Sequence, residues 1–357
     1  MRSLKRILAI AGVLGLTGCP YTEGCEGTLP SGTTPPGDGG PNQDGPTAQQ
    51  DARDEDSAAA LGPILPNCMG LTARCAGESC CAASNVPGGA FNRLNDPLFP
   101  ATVSEFRLDT YEVVAGRFRA FVNAGKGTRQ SPPAEGAGAH PNIPGSGWST
   151  SFNMGLTENT AAFQDAVKCD PALYNVYSDV PGVNDTLPMN CATWFEAMAF
   201  CIWDGGRLPT ETEWNYAAAG GSEQRVAPWG GAIDTTRASY GCQSGDSIAD
   251  PGAPLCTFKD YTAVGSRPMG RGLWGHADMA GNVWERVLDY FVAPFRLTSC
   301  LDCADLQPTA EGRGIRGGSI NWGESFQRTT DRTAVNTETP DTRTNTVGFR
   351  CARAVVP

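Results

Sequence analysis

The chain has 357 residues and a mass of 37.6 kDa, which is long enough for one large domain or two ordinary ones with a buried core. Glycine (44 residues) and proline (27 residues) are abundant and only 18% of residues are charged, which favours loops and argues against a coiled coil or a helical bundle. The formal net charge is −11, so nucleic acid is not expected as a partner, because phosphate binding needs clustered lysine and arginine.

The first residues have the composition of a secretory signal peptide, which we assign to 1–18. Three basic residues precede a short apolar run, 7–16, that is too short to span a bilayer. The next residue, Cys19, ends a Leu-Thr-Gly-Cys sequence that resembles the bacterial lipobox, whose cysteine is acylated; the alternative is an ordinary signal peptide with a chance cysteine. We expect a lipid anchor on Cys19 and a membrane partner, and hence a location at the bacterial cell envelope, on the outer membrane or cell surface.

Residues 19–65 are predicted to be a flexible tether. Glycine and proline supply 11 of the 25 residues between 26 and 50, so this stretch cannot bury enough apolar surface to offset the cost of ordering. A short cysteine-rich segment, 66–85, follows and precedes the folded domain, 86–357.

The 14 cysteines of an exported chain predict a disulfide framework. With Cys19 assigned to lipid, the remaining number is odd, and Cys25, inside the tether, is the nearest candidate for the unpaired thiol. Adjacent cysteines fit a tetrahedral zinc site poorly, so two disulfides are expected within the cysteine-rich segment, in pairings that the sequence leaves open. Its cysteines are Cys68, Cys75, Cys80 and Cys81.

Inside the domain the hydrophobic periodicity predicts few regular elements. A short strand, Glu105–Asp109, precedes a helix over Thr110–Ala124, whose apolar residues share one face. The clearest helix is Trp194–Asp204. Another covers Thr210–Ala219, where Glu213 completes a capping box with the first threonine. The rest alternates turn residues with short apolar pieces, which indicates a loop-rich α+β fold.

Several motifs in order resemble the formylglycine-generating enzyme family, also called the sulfatase-modifying factor family. The resemblance covers about 86–357 and implies the family's loop-rich variant of the C-type lectin fold, after the N-terminal tether. The motifs are FRLDTYEVVAGRFRAFV (106–122), PMNCATWFEAMAFCIWDGGRLPTETEWNYAAAGG (188–221), PWG (228–230), VGSRPMGRGLWGHADMAGNVWERVLD (264–289), and RGGSINW with a terminal GFRCAR (316–353).

The family's known activity is oxidation of a sulfatase cysteine to formylglycine by two cysteines that bind Cu(I), a soft ion that prefers thiolates. These cysteines stand three and eight residues after the serine of the GGS motif. Counted from Ser319, the corresponding residues are Trp322 and Gln327, so no copper is expected. A related branch holds iron with three histidines, whereas this chain has only His140 and His276, each expected to be a surface or loop residue rather than a ligand.

Trp284 and Ser319 match positions that line the oxidase pocket, so the resemblance implies that a pocket persists, with Trp322 and Gln327 beside it. Two functions remain open. The favoured one is a surface-tethered lipoprotein whose domain binds a peptide or glycan, or acts as a scaffold; the alternative is a formylglycine-generating oxidase, or a related oxidoreductase, with a divergent site. Trp322 could instead fill the vacated pocket as part of the core.

The resemblance also implies a structural Ca²⁺ site in the segment DMAGNVWE. Side chains of its first and last residues, Asp278 and Glu285, and carbonyls of Gly281 and Val283 match the family's ligands, and hard oxygen donors suit Ca²⁺. The alternative is that the two carboxylates only cap or pair locally.

Cys201 and Cys351 match a pair of cysteines that the family links by a disulfide. A second family pair is absent at both ends, where Ala218 and Arg332 stand. The remaining pairings are predicted from proximity in the sequence alone. They are Cys242 with Cys256, Cys300 with Cys303, and Cys169 with Cys191.

Overall fold

The computed structural model describes most of the folded domain. The signal peptide, the tether, Cys19 and Cys25 lie outside the described residues. The described residues all belong to the unit Leu61–Pro357. They are Cys68, 71–169, 174–242, Cys256, 258–332 and 337–355.

Two of the helices begin at a threonine that caps them. Thr193 and Thr210 each accept a hydrogen bond from the backbone N–H of a glutamate three residues later, and the Glu196 and Glu213 carboxylates accept the threonine N–H in return. The predicted capping box of Thr210 and Glu213 is thus formed. The helix that it begins ends at Gly220, which is in the left-handed conformation with φ of +67°. The described α-helices are α1 (Ala115–Asn123), α2 (Thr160–Ala166), α3 (Trp194–Trp203) and α4 (Glu211–Ala219).

Helix α1 begins five residues later than the start predicted at Thr110. The preceding residues are extended because their backbone groups bond to other segments: the Thr110 N–H donates to Ala82 O, and the Val113 N–H donates to Phe349 O. Tertiary hydrogen bonding therefore overrides a helical pattern at this point.

Strands in the described part of the chain are short and form four small sheets. The largest has the order β10-β9-β7-β11, and the others are β12-β6-β3, β4-β5-β8 and β1-β2. Pairs β7/β11 and β5/β8 are parallel and the rest antiparallel. This loop-rich α+β architecture confirms the predicted fold class. The strands are β1 (Arg74–Cys75), β2 (Glu78–Ser79), β3 (Ala83–Val86), β4 (Gly89–Asn92), β5 (Pro100–Val103), β6 (Phe106–Asp109), β7 (Trp284–Tyr290), β8 (Cys300–Leu301), β9 (Arg313–Arg316), β10 (Thr337–Glu338), β11 (Val347–Gly348) and β12 (Ala352–Ala354).

The main apolar core surrounds α1 and α3. Phe118 of α1 packs at 5.6 Å, centroid to centroid, from both Phe121 and Phe200, and at 6.0 Å from Phe349 near the C-terminus. The face predicted from the periodicity of α1 is fully buried. Aromatic pairs at these distances contribute about 0.5–1.5 kcal/mol each beyond their burial.

A buried ion network ties the two ends of the domain together. Arg117 of α1 contacts Asp109 at 2.9 Å and Asp204, at the end of α3, at 2.7 Å, and Arg353 of β12 pairs with the same two aspartates. Loss of one partner would leave a buried charge uncompensated, at a cost of roughly 3–5 kcal/mol. The two aspartates and Cys351 form the one cluster of metal-ligand type found among the described residues, but the cysteine is in a disulfide and both carboxylates face guanidinium groups. The cluster is therefore structural.

Six disulfides connect the described cysteines. Within the cysteine-rich segment, Cys75 and Cys80 are buried against Tyr111 and Val114, and β3 pairs with β6 of the domain. The segment that we assigned separately, 66–85, is thus continuous with the domain, because its disulfide covers part of the core. The bonds are Cys68–Cys81, Cys75–Cys80, Cys169–Cys191, Cys201–Cys351, Cys242–Cys256 and Cys300–Cys303.

Candidate functional site

The GGS motif forms a tight turn after β9. Gly317 and Gly318 have φ of +98° and +75°, which side-chain-bearing residues rarely adopt. A Cβ added to Gly318 would lie 2.3 Å from Oε1 of Gln327, so the turn is pressed against this amide. Ser319 is fully buried and its hydroxyl donates to Oδ1 of Asn321 at 2.7 Å. The serine hydroxyl is therefore engaged in a hydrogen bond within its own loop.

Gln327, at one of the two positions that would carry a copper thiolate, is built into the loop. Its side-chain nitrogen, with two N–H donors, lies within hydrogen-bond distance of the carbonyls of Ser319 (3.4 Å), Trp322 (3.3 Å) and Gly323 (3.2 Å), and the residue is 1% exposed. No partner for its Oε1 is found among the described residues. An amide with three carbonyl acceptors holds the loop closed and has no thiol chemistry.

Trp322, at the other position, packs in an aromatic cluster with Trp284 and Phe326. Its ring centroid lies 6.3 Å from that of Trp284 and 4.6 Å from that of Phe326, with Ile315 and Val347 completing the cluster. The cavity described below and two smaller ones in the structure are not lined by Trp284, Ser319, Trp322 or Gln327.

The structure brings the four residues together. Two aromatic side chains, Trp322 and Phe326, pack beside Trp284, which favours the filled-pocket alternative over an open pocket. Sequence reasoning missed Phe326, although its position four residues after Trp322 was an available signal for packing on one side of a turn.

Asp278 and Glu285, the two side chains of the predicted calcium site, lie in a buried carboxylate cluster with Glu112 and Arg350. Arg350 holds Glu285 through two contacts of 2.6 Å, and the indole N–H of Trp214 adds a third of 2.8 Å. Sequence reasoning gave no signal for Glu112, whose carboxylate accepts the Asn282 side-chain N–H at 2.8 Å.

The charges in this cluster do not balance. Burial raises the pKa of Asp278, and the nearby charge of Glu285 adds to the shift; burial and these two carboxylates together raise the pKa of Glu112 well above its usual value. Of the three carboxylates, Glu285 is the one that the structure shows in contact with the Arg350 guanidinium. A dication would offset the negative charge of the cluster, so the residues fit Ca²⁺ by charge, but their oxygens are not among the close ligand groups found in the described residues. Glu285 could join only through lone pairs that Arg350 and Trp214 leave free.

Both histidines lie in loops, as one of the two predicted placements has it, and both are buried rather than at the surface. His276 is fully buried, and burial, with a contribution from Arg350, lowers its pKa to about 3, so its imidazole is neutral. His140 is 5% exposed and its Nε2 lies 3.4 Å from Oε1 of Glu213. Neither belongs to a metal-ligand cluster in the part of the chain that the structure describes.

Comparison with known proteins defines the class. The sulfatase-modifying factor enzyme 1-like domain matches residues 71–355. The formylglycine-generating enzyme of Thermomonospora curvata is 30% identical over 303 residues, covering 75% of this chain and 91% of that protein. The chain therefore belongs to the sulfatase-modifying factor family, also called the formylglycine-generating enzyme family, and has its loop-rich fold.

Two further similarities are found. The inactive C-alpha-formylglycine-generating enzyme 2 of Bos taurus is 27% identical over 290 residues, covering 75% of this chain and 86% of that protein. Among solved structures, PvdO from Pseudomonas aeruginosa superposes with a TM-score of 0.49 at 20% identity, covering 76% of this chain and 94% of that one.

Proposed function

We propose that this chain is a family member without copper-dependent oxidase activity and serves as a binding or scaffold module. The carrying observation is that Trp322 and Gln327 stand where the resemblance places the two copper thiolates, and that both are engaged in packing and hydrogen bonds. The similarity to a relative that is described as inactive supports the same conclusion. A peptide or a glycan would bind by stacking on the partly exposed faces of Trp322 and Phe326.

The test compares the wild-type chain with variants that restore the thiols. Wild type is expected neither to bind Cu(I) in competition with a chelator nor to convert the cysteine of a C-x-P-x-R peptide to an aldehyde. The double variant Trp322→Cys, Gln327→Cys should gain Cu(I) binding, because two thiolates five residues apart are a soft ligand pair, whereas Trp322→Ser, Gln327→Ser should not. Aldehyde formation by wild type above the no-protein control would reject the proposal.

We also propose that the domain is attached to the bacterial cell envelope, on the outer membrane or cell surface, by acylation of Cys19. The support comes from the N-terminal sequence alone, since Cys19 lies outside the described residues. None of the described helices is long and apolar enough to cross a bilayer. Acyl chains contribute about 0.8 kcal/mol per buried methylene, so Cys19→Ala should move the protein from the membrane to the soluble fraction, while Cys25→Ala should not. An unmodified N-terminus at another residue would contradict the anchor.

We further propose that the carboxylate cluster around Asp278 binds a structural Ca²⁺, supported by the charge excess around Arg350. The ion would supply positive charge that the buried carboxylates lack. It would have no part in any reaction.

A further inference from the structure

A cavity of about 380 Å³ lies at the far end of β7 from the aromatic cluster, within the usual size range of small-ligand sites. Asp289 lines it near the end of the strand, whereas Trp284 begins the strand, so roughly 16 Å of strand separates the two places at 3.3 Å per residue. The cavity is therefore separate from the position of the copper thiolates.

Arg93 lines this cavity as a buried cation without a carboxylate partner in the described residues. It is 3% exposed. Its Nη2 donates to the carbonyl of Leu297 at 2.5 Å and Nε donates to that of Phe99 at 3.4 Å, while Nη1 has only the Cys303 sulfur, at 3.8 Å. Sulfur is a weak acceptor, so a buried guanidinium with this contact at Nη1 favours an anion beside it.

A second arginine of the cavity wall packs on the same aromatic ring as the first. The Cζ atoms of Arg93 and Arg332 are 4.2 Å and 4.1 Å from the ring centroid of Phe295. Arg332 contacts Glu211 at 2.6 Å, and Arg316 contacts the same carboxylate at 3.5 Å. Glu211 is thus shared by two guanidinium groups, which leaves the charge of Arg93 without a contacting carboxylate in the described residues.

The other acidic groups do not cancel this charge. Asp289 accepts backbone N–H groups of Glu211 (2.7 Å) and Asp305 (2.8 Å), and burial together with the charge of Glu211 raises its pKa to about 8. Asp305 pairs with Arg296 at 2.5 Å. The remaining wall is largely apolar. It includes Ile143, Pro144, Val292 and Leu306.

We propose that this cavity binds a small organic oxyanion, with its carboxylate or phosphate group beside Arg93 and Arg332 on the cavity wall and its apolar body against Phe295 and the apolar residues. The planar fork of arginine matches both kinds of group. This site is independent of the function proposed above.

The experiment is calorimetric titration of the full chain, at fixed ionic strength, with benzoate, phenyl phosphate and inorganic phosphate. One-to-one saturable binding of at least one probe is expected. Preference for benzoate assigns a carboxylate ligand, and preference for the two phosphates assigns a phosphate ligand. Absence of saturable binding for all three overturns the proposal.

Variants then locate the binding. Arg93→Gln should weaken affinity about tenfold or more, because a charged hydrogen-bond donor is lost. Ile143→Trp should weaken affinity similarly, because it fills the cavity while keeping every charge. This variant tests the location of the site even if Arg93→Gln folds poorly. Arg129→Gln, an exposed arginine paired with Glu158, is the matched control and should bind as wild type does. Equal affinity of wild type and Ile143→Trp would refute the site.

Discussion

Substitution of Trp322 by alanine distinguishes a packed side chain from a ligand platform. Complete burial of a tryptophan is worth about 3–5 kcal/mol against alanine, and Trp322 is only partly buried, so we expect a loss of about 2 kcal/mol. For a domain of this size, that lowers Tm by roughly 4–8 °C. Urea unfolding followed by circular dichroism measures the loss, with an unchanged m-value.

A double-mutant cycle makes this prediction specific. Because the rings of Trp322 and Phe326 are 4.6 Å apart, Trp322→Ala and Phe326→Ala should couple by about 0.5 kcal/mol or more. Trp229→Ala removes a half-buried tryptophan from a different cluster and should add independently. The reasoning fails if Trp322→Ala unfolds within about 0.5 kcal/mol of wild type, since that is the range of ordinary surface substitutions.

Three other outcomes follow from the buried groups. Ca²⁺ should raise Tm relative to chelator, and Asp278→Asn should abolish this rise while Asp234→Asn, at an exposed site, keeps it; equal melting curves for chelated and calcium-loaded wild type would contradict the ion. Replacing Cys201 and Cys351 together by serine should cost up to about 5 kcal/mol in urea unfolding, from the entropy of a loop that spans 150 residues, and peptide mapping that finds Cys201 as a free thiol in wild type would overturn this. Since the pKa of His276 is about 3 when folded and near 6.5 when unfolded, the unfolded chain binds the extra proton, and stability present above pH 6.5 is lost as pH falls toward 3. Urea midpoints at pH 7, 5 and 4 should therefore fall more for wild type than for His276→Phe; parallel profiles would show that the histidine is not the cause.

Local signals in the sequence predict α3 and α4 well, misplace the start of α1, miss α2, and predict the aromatic site only in part. The Thr210 and Glu213 spacing predicts α4, because a capping box is satisfied within four residues. The filling of the pocket depends on Phe326 and on the three carbonyls that Gln327 reaches, which are properties of a folded loop. Motif positions therefore locate the site, and only tertiary structure shows whether it is open.

For the same reason, the sequence does not predict which charged residues meet across long stretches of the chain. Glu112 reaches Asn282, 170 residues later, and Arg93 meets Leu297 across 204 residues. No local pattern links such residues, since their proximity is set by how the small sheets are joined. The carboxylate cluster and the arginine-lined cavity appear only when the chain is folded.

The pairing of β12 with β6 restricts when the domain can fold. Arg353 reaches Asp109 across 244 residues, and β6 is the central strand of its sheet. A growing chain that lacks its last residues leaves β6 with an open edge, and the buried aspartates without one of their two arginines. This sheet is therefore complete only after β12 has been synthesised, and until then β6 offers an unpaired edge to other chains.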